Sequence, residues 1–373
     1  MVVSNSNNMA SSDIFTKKDT AICKGIAVLM MLFHHLFNEY GEYWGHPVDY
    51  WPLTGDQVTT IALICKVCVA VFVFITGFGL AASYRHSFGD NTPSMRDAAA
   101  FSISRWWKLM SEFWPIFVLA LVCSPLGRNP LAVYGGGVRT VLSSGVIDFL
   151  GLAEAFRTPS LNPTWWYMTL AITFIFIAPM VMSGVRAFGS TAMFVVGVLS
   201  IALFGHGDYS FGQYFASYLL GIFCYEHHVF EAWVRWKSDS MSGRLQKAIG
   251  AGVLLCGMLL MRNHFNYIGT SDACCALLLC LFVMAALRSI PVLTALLSMF
   301  GRHATNMFLV HTLMYSYYFL SFYYAFRFPV LILAVLAVTS MMVSIVLEKA
   351  KDLTGYRLLM KKTGKRVEAF LVE

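Results

Sequence analysis

The sequence predicts an all-α protein, a polytopic transmembrane helix bundle of about ten spans with both termini cytoplasmic. Three observations lead there: the composition, the recurrence of apolar windows of bilayer length, and the uneven placement of lysine and arginine. Of 373 residues, 58% are hydrophobic and 13% charged, against about half and about a quarter in soluble domains. A bilayer core of ~30 Å takes ~20 apolar residues of helix to cross. Candidate windows fall at 20–37, 58–82, 108–124, 140–156, 164–183, 190–204, 211–226, 246–261, 272–288, 304–324 and 328–347.

The fourth window, TVLSSGVIDFLGLAEAF, is the weakest, because it holds Asp148, Glu154, two serines and two glycines. Lysine and arginine accumulate on the cytoplasmic side of membrane proteins, so they arbitrate. If the fourth window does not span, twenty-one basic residues fall inside and five outside (Arg128, Arg139, Arg157, Arg262 and Arg327), with Lys66 left in mid-membrane. If it spans, the basic loop EHHVFEAWVRWKSDSMSGRLQK and the basic tail fall outside. Ten spans is the better expectation, and 125–163 becomes an outer segment whose backbone must be shielded by protein.

Three domains follow: a disordered polar leader at 1–18, rich in Ser and Asn; a membrane domain at 19–348; and a basic cytoplasmic tail at 349–373. The first apolar run is read as retained, since the leader lacks a basic front and no small-x-small site follows the run. The net charge of +7 lies mostly in inner loops and tail, where it orients the chain and attracts anionic lipid; a nucleic-acid partner is excluded. The nine cysteines form no disulfide pattern, and Cys65 and Cys68 are read as packing residues rather than a redox or metal pair. His227 and His228 beside Glu226 point about 100° apart on a helix, so no metal site is expected. No internal repeat supports an inverted-repeat transporter.

Polar residues inside the apolar windows carry the chemistry. In CKGIAVLMMLFHHLFN, Lys24 and His35 are eleven residues apart, which leaves them about 20° apart around a helix and about 16 Å apart along it. Lys24 can serve a ligand or simply snorkel to the surface. A histidine deep in a span usually faces a bundle interior or cavity, and an imidazole is suited to take a proton from a hydroxyl. His34 lies off that face. Arg105, Lys108 and Glu112, in ISRWWKLMSEFWP, fall within about 60° of one another; either they form an interfacial belt with Lys108 paired to Glu112, or a cationic mouth for a phosphorylated cosubstrate. Arg302 and His303 mark an inner loop, and His311 lies in the window after it. Lys66 needs an acidic or carbonyl partner.

Four blocks in order resemble the integral-membrane acyltransferase family 3, whose members mostly move acetyl groups onto bacterial cell-surface glycans. KGIAVLMMLFHH resembles its opening signature, with Lys24 in place of the usual arginine and His35 at the histidine. VFVFITGFGLAASY is similar to its second-helix block, with Thr76, Gly77 and Phe78 at the turn. SRWWKLMSEFWP looks like its basic third-helix opening, with Arg105, Lys108 and a displaced Pro115. GRHATNMFLVH resembles its late block, giving Gly301, Arg302 and His311. The resemblance spans about 19–347. It implies a multi-pass enzyme of a bacterial plasma membrane with His35 and His311 as catalytic residues and Lys24, Arg105, Lys108 and Arg302 binding the donor. Acetyl-CoA or another acyl-CoA would be the cosubstrate, with no permanently bound cofactor, and a glycan or lipid-linked saccharide the acceptor. Lysine at 24 and 108 lacks the bidentate fork of arginine. Trp165 and Trp166, after the outer segment, would form a glycan-facing lid or an interfacial anchor. A multispan transporter or flippase is the rival reading, and a sensory domain a third.

Overall fold

The structure, a computed structural model, describes residues 14–39, 45–204, 211–237, 240–265 and 269–372. All regular structure among the described residues is helical. We number the helices α1 (Lys17–Phe37), α2 (Gly55–Cys65), α3 (Cys68–Phe88), α4 (Met95–Val122), α5 (Pro130–Tyr134), α6 (Val138–Phe149), α7 (Trp166–Phe188), α8 (Ser190–Phe204), α9 (Phe211–Glu226), α10 (Val229–Arg235), α11 (Met241–Phe265), α12 (Thr270–Ala286), α13 (Pro291–Thr312), α14 (Leu320–Tyr324), α15 (Pro329–Leu353) and α16 (Tyr356–Val372). Six helical stretches among the described residues are long and apolar enough to cross a bilayer: Lys17–Phe37, Gly55–Phe88, Pro163–Phe188, Met241–Phe265, Thr270–Ser289 and Pro329–Leu353. Of the expected leader, residues 1–13 lie outside the described residues; Phe15 is buried.

The window expected at 58–82 is two helices. The chain turns at Lys66 and Val67, whose N–H groups reach Leu63 and Ile64 carbonyls three residues back at 3.2 Å. Such three-residue bonds tighten a helix end, so Lys66 stands at a tightened turn within the apolar stretch Gly55–Phe88. The weak window at 140–156 holds only the twelve-residue α6, about 18 Å long and too short to span.

The chain forms two compact units, the first of residues up to 26, 70–87 and 184–301, the second of 27–69, 88–183 and 302–373. Small residues let helices of the first unit meet at backbone distance. A Cβ on Gly25 of α1 would collide with the Leu297 carbonyl of α13, and one on Gly301 with the Ala21 carbonyl; Gly77 of α3 and Gly221 of α9 meet Tyr218 and Phe74 in the same way. This is the close packing that small residues allow in membranes, where lipid removes the hydrophobic drive for association. Ion pairs complete the unit: Arg288 with Asp19 at 2.6 Å, Arg85 with Glu226 at 2.5 Å, and Arg262 with the buried Asp272. Glu226 is thus held by Arg85, while His227 Nε2 pairs with Ser190 Oγ at 2.8 Å and His228 with Glu231 at 2.9 Å.

In the second unit α4 starts from a capping box, Ser94 and Asp97 bonding each other's backbone N–H at 3.2 and 3.3 Å. This satisfies donors that a helix start leaves open. The segment after α4 is knit together by polar bonds. Asp148 accepts from the Tyr134 hydroxyl at 2.9 Å and the Leu161 N–H at 2.8 Å, and Arg128 Nε donates to the Leu161 carbonyl at 2.8 Å. Burial raises the Asp148 carboxyl above its usual range, and these donors pull it partly back. The chain between α6 and α7 is thereby held in one conformation, which matters for the residues that follow Leu161.

Candidate active site

The second unit brings His35 and His311 together. Their ring centroids lie 5.1 Å apart, and the His34 ring lies 5.0 Å from that of His35. His35 is half-buried, and among the described residues neither of its ring nitrogens is hydrogen-bonded. Its neighbour His34 is buried, with Nδ1 2.8 Å from the Ala62 carbonyl of α2, so that ring donates to the backbone and fixes the end of α1.

Two tyrosines fix it further. Tyr315 donates to the His35 carbonyl at 2.7 Å and Tyr324 to the Leu36 carbonyl at 2.9 Å. A helix leaves its last four carbonyls without internal partners, and these hydroxyls satisfy two of them. The backbone that carries the His35 ring is therefore anchored from both sides of the ring's own residue.

His311 lies in the last turn of α13 and is fully buried. Its Nδ1 lies 2.6 Å from the Phe308 carbonyl and its Nε2 3.0 Å from Thr312 Oγ1. A carbonyl only accepts, so Nδ1 carries a hydrogen and a neutral ring presents Nε2 as an acceptor. From Thr312 the chain continues 3.2 Å to Thr164 Oγ1, which donates to Asn162 Oδ1 at 2.9 Å. With Thr164 donating to Asn162, the Thr312 hydroxyl can serve His311 or Thr164 but not both. A neutral His311 leaves one link of this chain without a proton.

Directly after Thr312 the backbone widens into a π-helical stretch, Leu313–Tyr318. Such stretches are rare and concentrate at functional sites. Here the widening places Tyr315 against His35, and the Tyr317 carbonyl so close to Gly127 that a Cβ there would collide with it. The loop before α7 is pinned to the same place: Trp165 Nε1 donates to the Leu309 carbonyl at 2.9 Å, and Asn162 Nδ2 reaches the same oxygen at 3.4 Å. Trp165 is 3% exposed and packed against Phe113 and Phe117, so it offers no face for the glycan lid or the interfacial anchor weighed for the two tryptophans; Trp166 stays half-exposed.

The cationic candidates are placed differently. Lys24 lies on α1 in the first unit, half-buried. Arg105 is turned back on its own helix, with Nη1 donating to the Phe101 carbonyl at 3.1 Å and its guanidinium 3.4 Å over the Phe101 ring. Lys108 is exposed beside a cleft of about 280 Å³ between α4 and α16. Its expected partner Glu112 pairs instead with Lys351, which also binds Glu348. Arg302 is exposed. Asn162, Thr164 and Thr312 were not among the sequence candidates. No local spacing marks them, since Asn162 and Thr164 meet partners 147 and 148 positions away.

A buried imidazole cluster with an unbonded ring can accept a proton from a hydroxyl and pass it to a leaving group. The family model for an acyltransferase domain matches residues 21–349, which takes in both histidines and the chain from Asn162 to Thr312. No curated protein and no solved structure matches this sequence. With most of its length covered, the chain is a membrane acyltransferase and belongs to acyltransferase family 3.

Proposed function

We propose that the protein moves an acyl group, most simply acetyl, from cytoplasmic acyl-CoA to a hydroxyl of a cell-surface or lipid-linked glycan at a bacterial plasma membrane. It crosses the membrane ten times with both termini cytoplasmic. The long charged helix α4, the helix formed by α13 with its π-helical extension, and the shorter α8 and α9 supply the crossings beyond the six longest apolar stretches. Acyl-CoA is a cosubstrate consumed at each turnover, and no resident cofactor is required.

The observation that carries this reading is the His35 ring, unbonded at both nitrogens among the described residues and set 5.1 Å from His311. The acceptor oxygen attacks the thioester carbonyl as its proton passes to a His35 nitrogen. The C–S bond breaks as the C–O ester bond forms, and the proton then goes to the departing thiolate, giving ester and free CoA thiol. His311, fixed by Phe308 and Thr312, holds the His35 ring in place. Lys24, on the same face of α1 and about 16 Å along it, meets the donor near the cytoplasmic surface; Arg105, Lys108 and Arg302 serve its phosphates.

Purified protein given acetyl-CoA and an acceptor saccharide should release CoA thiol. His35→Ala should lower that release by about 10²–10⁴-fold, the usual contribution of a positioned general base, while the variant still inserts and stays folded. Undiminished release from the variant overturns the assignment of the base. Labelled saccharide crossing the membrane with no thioester consumed favours the transporter reading.

A further inference from the structure

The cleft between α4 and α16 lies partly beyond the matched domain, which ends at residue 349. It is a formed concavity, because α16 is fastened to α4. Trp107 Nε1 donates to the Met360 carbonyl at 2.9 Å, and the Tyr356 hydroxyl donates to the Ser111 carbonyl at 3.0 Å. Gly364 sits so close to the Trp107 indole that a Cβ there would come within 2.8 Å of the ring. The basic tail is therefore not a free polyelectrolyte.

The charges lining the cleft are unevenly matched. Glu112 is occupied by Lys351, and Arg357 is occupied by Glu348 and Asp352. Lys108, Lys361 and Lys365 also line the cleft, and among the described residues no carboxylate forms an ion pair with any of the three. Glu368 is the one lining carboxylate not held in an ion pair. Lys361 and Lys365 are four residues apart and share a helix face, and Lys108 faces them from α4. Three lysines lining one cleft with an indole suit a phosphorylated ring system: a phosphate is bound by lysine as a point charge, and the indole offers flat apolar surface.

We infer that this cleft holds the phosphorylated adenosine end of the acyl-CoA donor, with Lys361 and Lys365 of α16 and Lys108 of α4 on its ribose phosphate. This rests on the donor proposed above and adds to it a part of the chain outside the matched domain.

The test uses the full-length protein in nanodiscs of zwitterionic lipid. Wild type should bind CoA about tenfold more tightly than 3′-dephospho-CoA. Lys361→Ala/Lys365→Ala should bind the two equally, raise KM for acetyl-CoA about tenfold and leave kcat within twofold. Lys362→Ala/Arg366→Ala removes the same charge from residues about 100° further round α16 and should keep wild-type affinity and discrimination. Equal loss in both double variants overturns the inference, since it would reflect diffuse charge alone. A cleft variant that still discriminates the two nucleotides also overturns it. If anionic phospholipid added to the nanodiscs displaces CoA from the wild type, the cleft is a headgroup site and the donor assignment falls. Wild type that binds no CoA overturns the proposed donor together with this site, whereas CoA binding untouched by the cleft variant overturns only the site.

Discussion

In the first unit the charges come as matched pairs: Asp19 with Arg288, Glu226 with Arg85, Asp272 with Arg262. Around His35 in the second unit uncharged polar groups are chained, running from His311 through Thr312 and Thr164 to Asn162, and one ring is left unbonded among the described residues. Matched pairs are closed. Each carboxylate and guanidinium satisfies the other, and nothing remains to meet a substrate. The histidine cluster is incomplete, because the His35 ring has no hydrogen-bond partner among the described residues. Polar groups inside the helices thus come in two arrangements, and hydrogen-bond completeness separates them.

The sharpest way to break the comparison is to open a closed pair. Arg262→Ala leaves the Asp272 carboxylate, whose side chain is 1% exposed, without its partner. Orphaning one half of a buried pair costs about 3–5 kcal/mol. The yield of folded protein by size-exclusion chromatography and its melting temperature should fall steeply, while the rate per folded molecule stays near that of wild type. A variant that folds normally but turns over slowly would place the first unit's pairs in the chemistry and dissolve the contrast.

A smaller effect is expected from shortening the open chain. Thr312→Val keeps the side-chain shape and removes the hydroxyl next to His311 Nε2, at a cost of about 1 kcal/mol in stability. Turnover should fall about tenfold, which corresponds to about 1.4 kcal/mol in the barrier, with KM for the donor unchanged. Thr312→Ser restores the hydroxyl and should restore the rate. Thr312 is a positioning residue, and a purely structural role would lower melting temperature in both variants without the serine rescuing kcat.

Much of this was legible in the sequence, for identifiable reasons. Lys24 and His35 share a helix, so their spacing alone sets their relative orientation, and α1 runs unbroken through both. His311 stands inside an apolar window, where any histidine draws notice. The break at Lys66–Val67 was hidden, because IALICKVCVAVF carries neither the glycine nor the proline that usually marks a turn. Glu112 was expected to meet Lys108 one helical turn away, yet its partner is Lys351, 239 positions later. Local periodicity cannot see a contact made by tertiary packing. The tail was legible as charge but not as structure, since the cleft it forms with α4 depends on Gly364 meeting Trp107, a contact between residues far apart in the sequence.

The same limit applies to Trp165, and it yields the mildest test. From sequence, a tryptophan following an outer segment reads as an interfacial anchor or as a ring for stacking on sugar; in the structure its indole is buried and its N–H is tied to the Leu309 carbonyl. Trp165→Phe keeps an aromatic ring between Phe113 and Phe117 and removes that single donor. The Leu309 carbonyl retains only the longer bond from Asn162 at 3.4 Å, so the loss should be about 0.5–1.5 kcal/mol of stability, read as a modest drop in melting temperature. KM for the acceptor should not move, because a ring with 3% exposure has no face to offer a glycan. A selective rise in that KM, with melting temperature unchanged, would return Trp165 to the acceptor site and would mean that the loop from Asn162 to Trp165 opens during turnover.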